Sequence, residues 1–341
     1  MTELNDKLKR LKDLGISFSM GNDQVEIERI PSGSIGLDRI LGGGYPKGRM
    51  VEFYGDFSSG KSLMAYLAIK EAQKRGLTTA LVDAENSYTQ DWVVNLGIDP
   101  ERLYVISSQN DKGEPRSGES LLEDVSKLIE AEIDLIVVDS VSALTPQVQL
   151  DKGLDEGSAI AEQARMLSKC LQKVNAQLGA HNKTALIFIN QMRSNPGVMF
   201  GNPNKSTGGK ALEFYDAIKM LVFKRTGTEF TYYKDEKNKD EGLVGQRIKI
   251  TTEKNKLYRP KMSCEFDVFF DIGPRNLSVG VDTVGELLTE CLKADIITRP
   301  NNVTYTYKDQ NFKGQMAIMK AIKEDAKLQQ ELFEALGNVS N

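Results

Sequence analysis

The residues from position 55 to position 62 have the types and the spacing of a phosphate-binding loop. In order they are Gly55, Asp56, Phe57, Ser58, Ser59, Gly60, Lys61 and Ser62, which fits the pattern G-x-x-x-x-G-K-[ST] throughout. The glycines let backbone N–H groups turn toward phosphates, and the N-terminus of the next helix attracts the same negative charge. Lys61 is expected to reach the β- and γ-phosphates, and the Ser62 hydroxyl is expected to hold Mg²⁺. The alternative is a glycine- and serine-rich turn that fits by chance.

Polar residues also follow the predicted strands on either side of this loop. Asp139 ends an apolar strand, Asp134–Asp139, which is the position and type of a Walker B acid that supports Mg²⁺ through water. Glu85 follows a second strand, Thr79–Asp83, where a carboxylate can orient and deprotonate an attacking water. The alternatives are a helix N-cap for Asp139 and a solvated loop acid for Glu85.

Gln191 follows a fourth predicted strand, Thr184–Ile189, and opens a long loop. Its amide can hydrogen-bond a γ-phosphate, and a purely structural amide is an equally good interpretation. Residues 191–209 show no helix or strand pattern, and no Asp or Glu occurs from position 191 to 212. Basic groups with exposed backbone suit single-stranded nucleic acid. The residues expected there are Arg193, Pro196, Gly197, Lys205, Thr207, Gly208, Gly209 and Lys210; a mobile surface loop is the alternative.

The elements that must position these residues alternate between strand and helix from about position 50 to 250. Met50–Tyr54 is predicted as the strand before the phosphate loop, and Ser62–Arg75 as the helix after it. Continuous apolar strands separated by helices predict an α/β fold, with a mostly parallel sheet covered on both faces. Ligands then bind at the carboxyl ends of the strands. We predict domains at residues 1–30, 31–272 and 273–341, the last a small α+β domain.

The N-terminal segment carries Leu4, Leu8, Leu11 and Leu14 at helical spacing. Such a short helix needs a surface to cover its apolar stripe, which is either its own core or a neighbouring subunit. Residues 25–30 alternate like a strand.

Composition excludes several classes of function. The chain has 341 residues, 40% of them hydrophobic, with a net charge of −4, so nucleic-acid binding requires a local basic surface. Three scattered cysteines and a single histidine, His181, argue against a zinc site, a disulfide scaffold and histidine catalysis. No apolar run is long enough for a membrane span and no signal peptide is recognisable, so we expect a cytoplasmic protein with no membrane partner.

Together these motifs resemble the bacterial RecA recombinases, from about Ile30 to Leu336. The matching segments are Pro31–Ser34, the phosphate loop, Val137–Val141, Ala143–Pro146, Phe188–Arg193, Gly197–Pro203, Thr207–Gly209 and Lys254–Lys256. The length and the departures from the family pattern indicate a divergent or phage-encoded member.

The resemblance implies a RecA-like ATPase core with a short N-terminal oligomerisation helix and strand. It implies a DNA-dependent ATPase that forms a helical filament on single-stranded DNA. The filament pairs with homologous duplex DNA and exchanges strands in recombination, repair and the SOS response. ATP and Mg²⁺ would lie between subunits, where Glu85 activates water and Gln191 couples the γ-phosphate to the DNA loop. Lys254 and Lys256 would reach a neighbour's ATP, and Phe214 would pack across the interface. Loader or single-strand-binding proteins are possible partners, in a bacterial cell or an infected host.

Several positions depart from the family pattern. Trp92 stands where the family stacks a tyrosine on adenine, and Thr89 where it places an aspartate against the adenine amino group. Pro196 and Ile160 replace the residues that wedge between DNA triplets, and Gln172 replaces a phosphate-binding arginine. Arg165, on the same predicted helix as Ile160, is also expected at the DNA. The acidic regulatory tail of the family is missing, from which we expect weaker autoinhibition.

Two other classes of protein remain as alternatives. One is a hexameric DNA helicase or translocase on the same ATPase core, which would unwind DNA directionally. The other is a nucleotide-switched signalling ATPase, which would lack DNA-stimulated hydrolysis; the basic loop argues against it.

Overall fold

A computed structural model of the chain describes residues 2–17, 26–152, 156–194, 204–208, 210–234, 242–272 and 278–339. The helices are α1 (Thr2–Asp13), α2 (Ile35–Leu41), α3 (Lys61–Lys74), α4 (Gln90–Asn95), α5 (Gly118–Glu130), α6 (Gln147–Lys152), α7 (Glu156–His181), α8 (Ala211–Tyr215), α9 (Thr283–Lys293), α10 (Gln315–Glu324) and α11 (Ala326–Val339). The strands are β1 (Arg29–Ile30), β2 (Tyr45–Pro46), β3 (Arg49–Gly55), β4 (Thr79–Asp83), β5 (Leu103–Ser107), β6 (Leu135–Asp139), β7 (Ala185–Ser194), β8 (Asn204–Ser206), β9 (Ile218–Lys224), β10 (Thr231–Tyr233), β11 (Leu243–Asn255), β12 (Ser263–Phe269), β13 (Gly280–Val281), β14 (Thr304–Tyr307) and β15 (Gln310–Lys313).

The central sheet has the order β13-β12-β11-β9-β3-β7-β6-β4-β5. The strands from β9 to β5 in this order are parallel, and β11, β12 and β13 extend the sheet antiparallel. The register aligns Gly55 with Gln191 and Asp83 with Asp139. The candidate residues on neighbouring strands therefore lie side by side.

Both faces of the sheet are covered, which explains why its parallel strands are apolar throughout. Val51, Phe53 and Val137 face one cluster that includes residues of α2 and α3. Alternate residues, such as Val82 and Val138, face a second cluster with residues of α5 and α7. Since both sides bury side chains, the strands lack the polar alternation of a half-exposed sheet.

The C-terminal helices α9, α10 and α11 build a third hydrophobic cluster with β14. The Glu286 carboxylate on α9 joins this cluster to the core. It accepts hydrogen bonds from the Ser34 hydroxyl at 2.6 Å and from the backbone N–H groups of Ile35 and Gly36 at 3.0 and 2.8 Å. The boundaries predicted at 30/31 and 272/273 stay predictions.

The structure corrects two predictions at the N-terminus. Only Arg29 and Ile30 of the predicted strand at 25–30 are extended in a sheet, and they pair antiparallel with β2 of the same chain; Val25 lies outside the described residues. The helix α1 ends at Asp13, so Leu14 lies just beyond it and is 67% exposed, whereas Leu8 and Leu11 are half-buried.

A third correction concerns the loop after Gln191. The structure extends β7 to Ser194, and β8 pairs with it antiparallel, so that Arg193 lies opposite Lys205. This hairpin escaped the sequence pattern because its residues are polar, and backbone pairing does not need apolar side chains.

Candidate nucleotide site and nucleic-acid interface

The phosphate loop connects β3 directly to α3, as its motif requires. Glycine is needed at both ends for different reasons. A Cβ on Gly55 would lie 2.1 Å from the Val222 carbonyl oxygen, and Gly60 has a φ of +99°. Asp56, Phe57 and Ser58 are exposed, whereas Ser59 is buried. The loop therefore presents its open side outward while its ends are anchored against the sheet.

Lys61 folds back over this loop. Its Nζ donates to the Asp56 carbonyl oxygen at 2.6 Å and lies 3.5 Å from the Ser59 hydroxyl. Burial lowers the pKa of the Lys61 amine, while Asp139 and Glu85 oppose that shift. The ammonium group is thus held among the loop carbonyl and hydroxyl oxygens, within the electrostatic reach of both acids.

Ser62 and Asp139, the two residues predicted at the metal, lie together. The Asp139 carboxylate hydrogen-bonds the Ser62 side chain and is almost fully buried. Burial, together with the nearby carboxylates of Glu85 and Asp83, raises the pKa of Asp139 to about 6, although the Ser62 hydrogen bond and Lys61 oppose the shift. Such a concentration of buried negative charge fits a bound cation. Among the described residues there is no cluster of three or more His, Cys, Asp or Glu side chains that could hold a metal alone.

Glu85 receives hydrogen bonds from two different elements. The Ser140 hydroxyl, directly after β6, donates to Glu85 Oε1. The Gln191 amide, on β7, donates to the same oxygen at 3.3 Å. The backbone N–H of Glu85 also bonds the Asp139 carbonyl oxygen at 3.2 Å. The candidate base, the Walker B acid and the candidate sensor amide therefore form one contiguous group at the ends of β4, β6 and β7.

Asn190 ties the base of the loop after Gln191 to the core. Its amide nitrogen donates to Glu52 Oε1 at 2.8 Å and to the Thr207 carbonyl oxygen at 2.9 Å. Its side-chain oxygen accepts from the Gln191 N–H at 2.9 Å and from the Thr207 hydroxyl. One buried amide thus holds both ends of the loop. The sequence hinted at this role only through a polar residue inside an apolar strand.

The residues predicted at DNA fall into four groups. Arg193 and Lys210 are exposed, as are Ile160 and Arg165 on α7. Thr207 and Gly208 are buried at the loop base, where a Cβ on Gly208 would lie 2.5 Å from Leu167. Lys205 is described by its backbone pairing alone. Pro196, Gly197 and Gly209 lie outside the described residues.

The residues predicted at the subunit interface share one surface. Phe214, on α8, is 73% exposed, and Lys256 Nζ bonds its carbonyl oxygen at 3.3 Å. Lys254 Nζ donates to the Glu213 carbonyl oxygen and to the Asp216 carboxylate. Both lysines therefore rest against α8 in the single chain, and neither contacts the phosphate loop through any of these bonds.

Sequence reasoning missed the buried acid that holds Lys254. Asp216 has no exposed surface, and burial raises the pKa of its carboxyl. Glu52 is equally buried, and its Oε2 lies 3.8 Å from Lys219 Nζ. A charged residue in the apolar strand β3 was the one signal that could have indicated this network.

Trp92 lies on α4, away from these contacts, and is 37% exposed. Its ring lies 6.4 Å from that of Phe270, at an angle of 47°. Thr89 is the N-cap residue of the same helix, without a side-chain cap bond. Part of the indole surface is therefore exposed.

Comparison with known proteins decides the family. A family model described as the RecA N-terminal domain matches residues 8–274. The chain belongs to the RecA family. It is 36% identical over 335 residues to Protein RecA of Porphyromonas gingivalis strain W83, covering 97% of this chain and 91% of that protein. Protein RecA of Bacteroides thetaiotaomicron is 36% identical over 339 residues, covering 97% and 95%. Protein RecA of a Nocardioides species is 38% identical over 326 residues, covering 93% and 85%.

Membership of the RecA family makes the chain a DNA-dependent ATPase of recombination and repair. The RecA-like core predicted from the sequence is confirmed, and neither the helicase nor the signalling alternative is favoured. Members of the family also bind nucleotide, bind single-stranded DNA and form filaments. No helix in the described parts of the chain is long and apolar enough to cross a membrane.

Proposed function

We propose that the nucleotide is ATP with Mg²⁺ and that Glu85 is the general base of its hydrolysis. The observation that carries this proposal is the shared hydrogen bonding of Glu85 Oε1 by Ser140 and Gln191, beside the phosphate loop. A carboxylate held from two sides can accept a proton from a water molecule placed in line with the γ-phosphate. Two donors on one oxygen leave the other oxygen, Oε2, to face that water.

The remaining residues of the site stabilise negative charge. Lys61 leaves its loop contacts to reach the β- and γ-phosphate oxygens, and the loop N–H groups bind the same phosphates. Ser62 and Asp139 hold Mg²⁺, which when bound draws negative charge from the phosphate oxygens. Trp92 stacks on the adenine ring with its exposed surface.

Hydrolysis is coupled to DNA through Gln191. This residue contacts Glu85 with its side chain and opens the β7–β8 hairpin, whose base Asn190 fastens. We assign single-stranded DNA to the surface formed by this hairpin and the N-terminal part of α7. The residues proposed there are Ile160, Arg165, Arg193, Pro196, Gly197, Lys205, Thr207, Gly208, Gly209 and Lys210.

The active site is completed by a second subunit. Lys254 and Lys256 would contact a neighbour's γ-phosphate, with Phe214 packed beside them, and the apolar stripe of α1 would dock on the next subunit. Extra positive charge at the transferring phosphoryl group speeds hydrolysis, so the rate depends on assembly. A second, homologous DNA duplex is the proposed partner for strand exchange. Loader and single-strand-binding proteins would act on the same DNA, in a bacterial cytoplasm.

The test is steady-state ATP hydrolysis with and without single-stranded DNA for the wild type, Glu85→Gln and Lys61→Ala. Glu85→Gln should bind nucleotide and DNA with unchanged affinity and lose turnover by about 100-fold or more. Lys61→Ala should also lose turnover, and Lys74→Ala at the far end of α3 is the control. Weak nucleotide binding by Glu85→Gln would make Glu85 a structural residue, and full turnover would refute the base assignment.

A further inference from the structure

A second serine lies behind the one that bonds Glu85. Ser142 Oγ is 2.6 Å from Ser140 Oγ, and Ser140 in turn bonds Glu85 Oε1. A hydroxyl has one proton, and an ionised carboxylate can only accept. The Ser140 proton therefore goes to Glu85, and Ser142 must donate to Ser140. The direction of the chain is fixed as Ser142 to Ser140 to Glu85, and each bond polarises the next.

The short turn that carries Ser142 is held from outside by Gln163. Residues 141–143 form a single 3₁₀ turn directly after β6. Gln163 Nε2 lies 3.2, 3.4 and 3.1 Å from the carbonyl oxygens of Val141, Ser142 and Leu144. One amide group thus contacts two carbonyl oxygens of the turn and the one directly after it. A displacement of Gln163 would move Ser142 relative to Ser140.

Gln163 is placed on the helix that the proposed function assigns to DNA. It lies on α7 between Ile160 and Arg165, which are both exposed. Val141 and Leu167 are fully buried in one cluster, so α7 and the turn share a packed interface near this amide. A change at the N-terminal part of α7 can therefore reach the turn through both the packing and the amide.

We infer that Ser142 and Gln163 are positioning residues for hydrolysis. Ser142 fixes the Ser140 hydroxyl on Glu85, and Gln163 makes that arrangement depend on α7. The inference rests on the proposed role of Glu85 as base. It adds a second connection between DNA and the base. The first runs from the β7–β8 hairpin through Gln191 to Glu85. The second runs from Gln163 on α7 through Ser142 and Ser140 to the same oxygen of Glu85.

The first test compares Ser142→Ala with Ser142→Thr. Loss of one hydrogen bond in the chain should lower kcat for DNA-stimulated hydrolysis about 3- to 10-fold. The KM for ATP and the affinity for single-stranded DNA should not change, because Ser142 contacts neither. Threonine keeps the hydroxyl and should restore the rate. Thr145→Ala is the control, since that hydroxyl bonds only the Ala143 carbonyl, at 3.4 Å.

The second test replaces Gln163 by methionine, which keeps the length and removes the donor. The stimulation of hydrolysis by single-stranded DNA should fall about 3- to 10-fold, a larger factor than any loss of the DNA-free rate, with DNA affinity unchanged. Gln177→Met, farther along α7, is the control and should retain full stimulation. An equal loss with and without DNA would overturn the coupling role of Gln163.

Glu85→Gln, assayed alongside, distinguishes a failure of the proposed base from a failure of the positioning chain. Full turnover in Glu85→Gln refutes the proposed base. An inactive Glu85→Gln together with a fully active Ser142→Ala refutes only the positioning chain. A Ser142→Ala variant that threonine does not rescue, or that changes KM and DNA affinity as much as kcat, also overturns it.

Discussion

At the scale of single residues, the site is held by hydrogen bonds between positions that are distant in sequence. Glu85 is bonded by Ser140 and Gln191, and Asn190 joins Glu52 to Thr207. Side-chain amides both donate and accept hydrogen bonds, whereas an ionised carboxylate accepts several of them. If Glu85 is the base, as proposed, turnover depends on the residues that hold it in place.

Asp216 offers a prediction at this scale. Its buried carboxylate holds Lys254 against α8, and Lys254 must leave it to contact a neighbour's phosphate. Asp216→Asn keeps the shape and removes the charge. DNA-stimulated hydrolysis should then reach its half-maximal rate at a protein concentration about 2- to 10-fold lower.

The measurement is a protein titration at saturating ATP and DNA. Glu213→Gln is the matched control. This substitution removes the same charge, but Glu213 bonds Lys254 through its backbone carbonyl, which the substitution keeps. An Asp216→Asn curve that coincides with the wild type or moves to higher concentration would contradict the account.

At the scale of elements, the parallel strands bring the site together by their register. The pairings of Gly55 with Gln191 and of Asp83 with Asp139 place the phosphate loop, the proposed base and the proposed Walker B acid at one edge. The antiparallel β7–β8 hairpin then continues beyond that edge. The hairpin proposed to bind DNA is therefore the direct extension of a strand that lines the proposed nucleotide site.

This arrangement predicts how Arg193 affects DNA binding. It is exposed on the hairpin opposite Lys205. Arg193→Ala should weaken binding to single-stranded DNA of any sequence and reduce the slope of log affinity against log salt by about one. Lys127→Ala, an exposed lysine paired with Asp124 on α5, should leave the slope unchanged. An unchanged slope for Arg193→Ala would remove this residue from the DNA surface.

The sequence predicted the strands whose two faces are both buried, and it missed strands that have an exposed face. Strands β3, β4 and β6 are continuous apolar runs, and each was predicted within a residue or two of its observed bounds. Strand β5 lies at the sheet edge with Tyr104 exposed, so its pattern resembles a loop. The hairpin strands are short and polar, and nothing in their residue types indicates pairing.

The site was predictable where one segment carries the chemistry and not where it depends on tertiary contacts. Gly55–Ser62 forms its loop locally, so its residues alone identify it. The Ser142 hydroxyl is relevant to the site because it bonds Ser140, which in turn bonds Glu85. Gln163 is relevant because its amide bonds a turn about twenty residues earlier in the chain. Such partners are set by how α7 packs on the sheet, which the periodicity of α7 does not specify.

At the scale of the whole molecule, the C-terminal helices are joined to the core by a buried carboxylate. Burial raises the pKa of Glu286 to about 7, from an ordinary value of 4.5, although three hydrogen bonds oppose the shift. The folded chain thus keeps the proton to higher pH than the unfolded chain does. The resulting stabilisation is complete below about pH 4.5 and is lost as the pH rises through 7.

Glu286→Gln should remove this dependence on pH. Between pH 5 and pH 8 the free energy of unfolding of the wild type should fall, relative to the variant, by up to about 3 kcal/mol. Denaturant unfolding at four pH values measures the difference, with the exposed Glu324→Gln as control. A constant difference between wild type and Glu286→Gln across this range would show that Glu286 does not titrate there.

Filament formation gives the chain its largest structural unit. Lys254, Lys256 and Phe214 lie together on one surface at α8, and Leu14, just beyond α1, is exposed. A head-to-tail assembly brings that surface of one subunit to the phosphate loop of the next. Each active site would then consist of Glu85 from one chain and the two lysines from its neighbour.

The measurement that tests this account most directly mixes two inactive variants on single-stranded DNA. One is Glu85→Gln, and the other is Lys254→Ala with Lys256→Ala. In an equal mixture, about a quarter of the head-to-tail contacts join an intact Glu85 to intact lysines. The account predicts that hydrolysis recovers to about a quarter of the wild-type rate. A mixture as inactive as either variant alone would contradict it, because the catalytic residues would then all have to come from one chain.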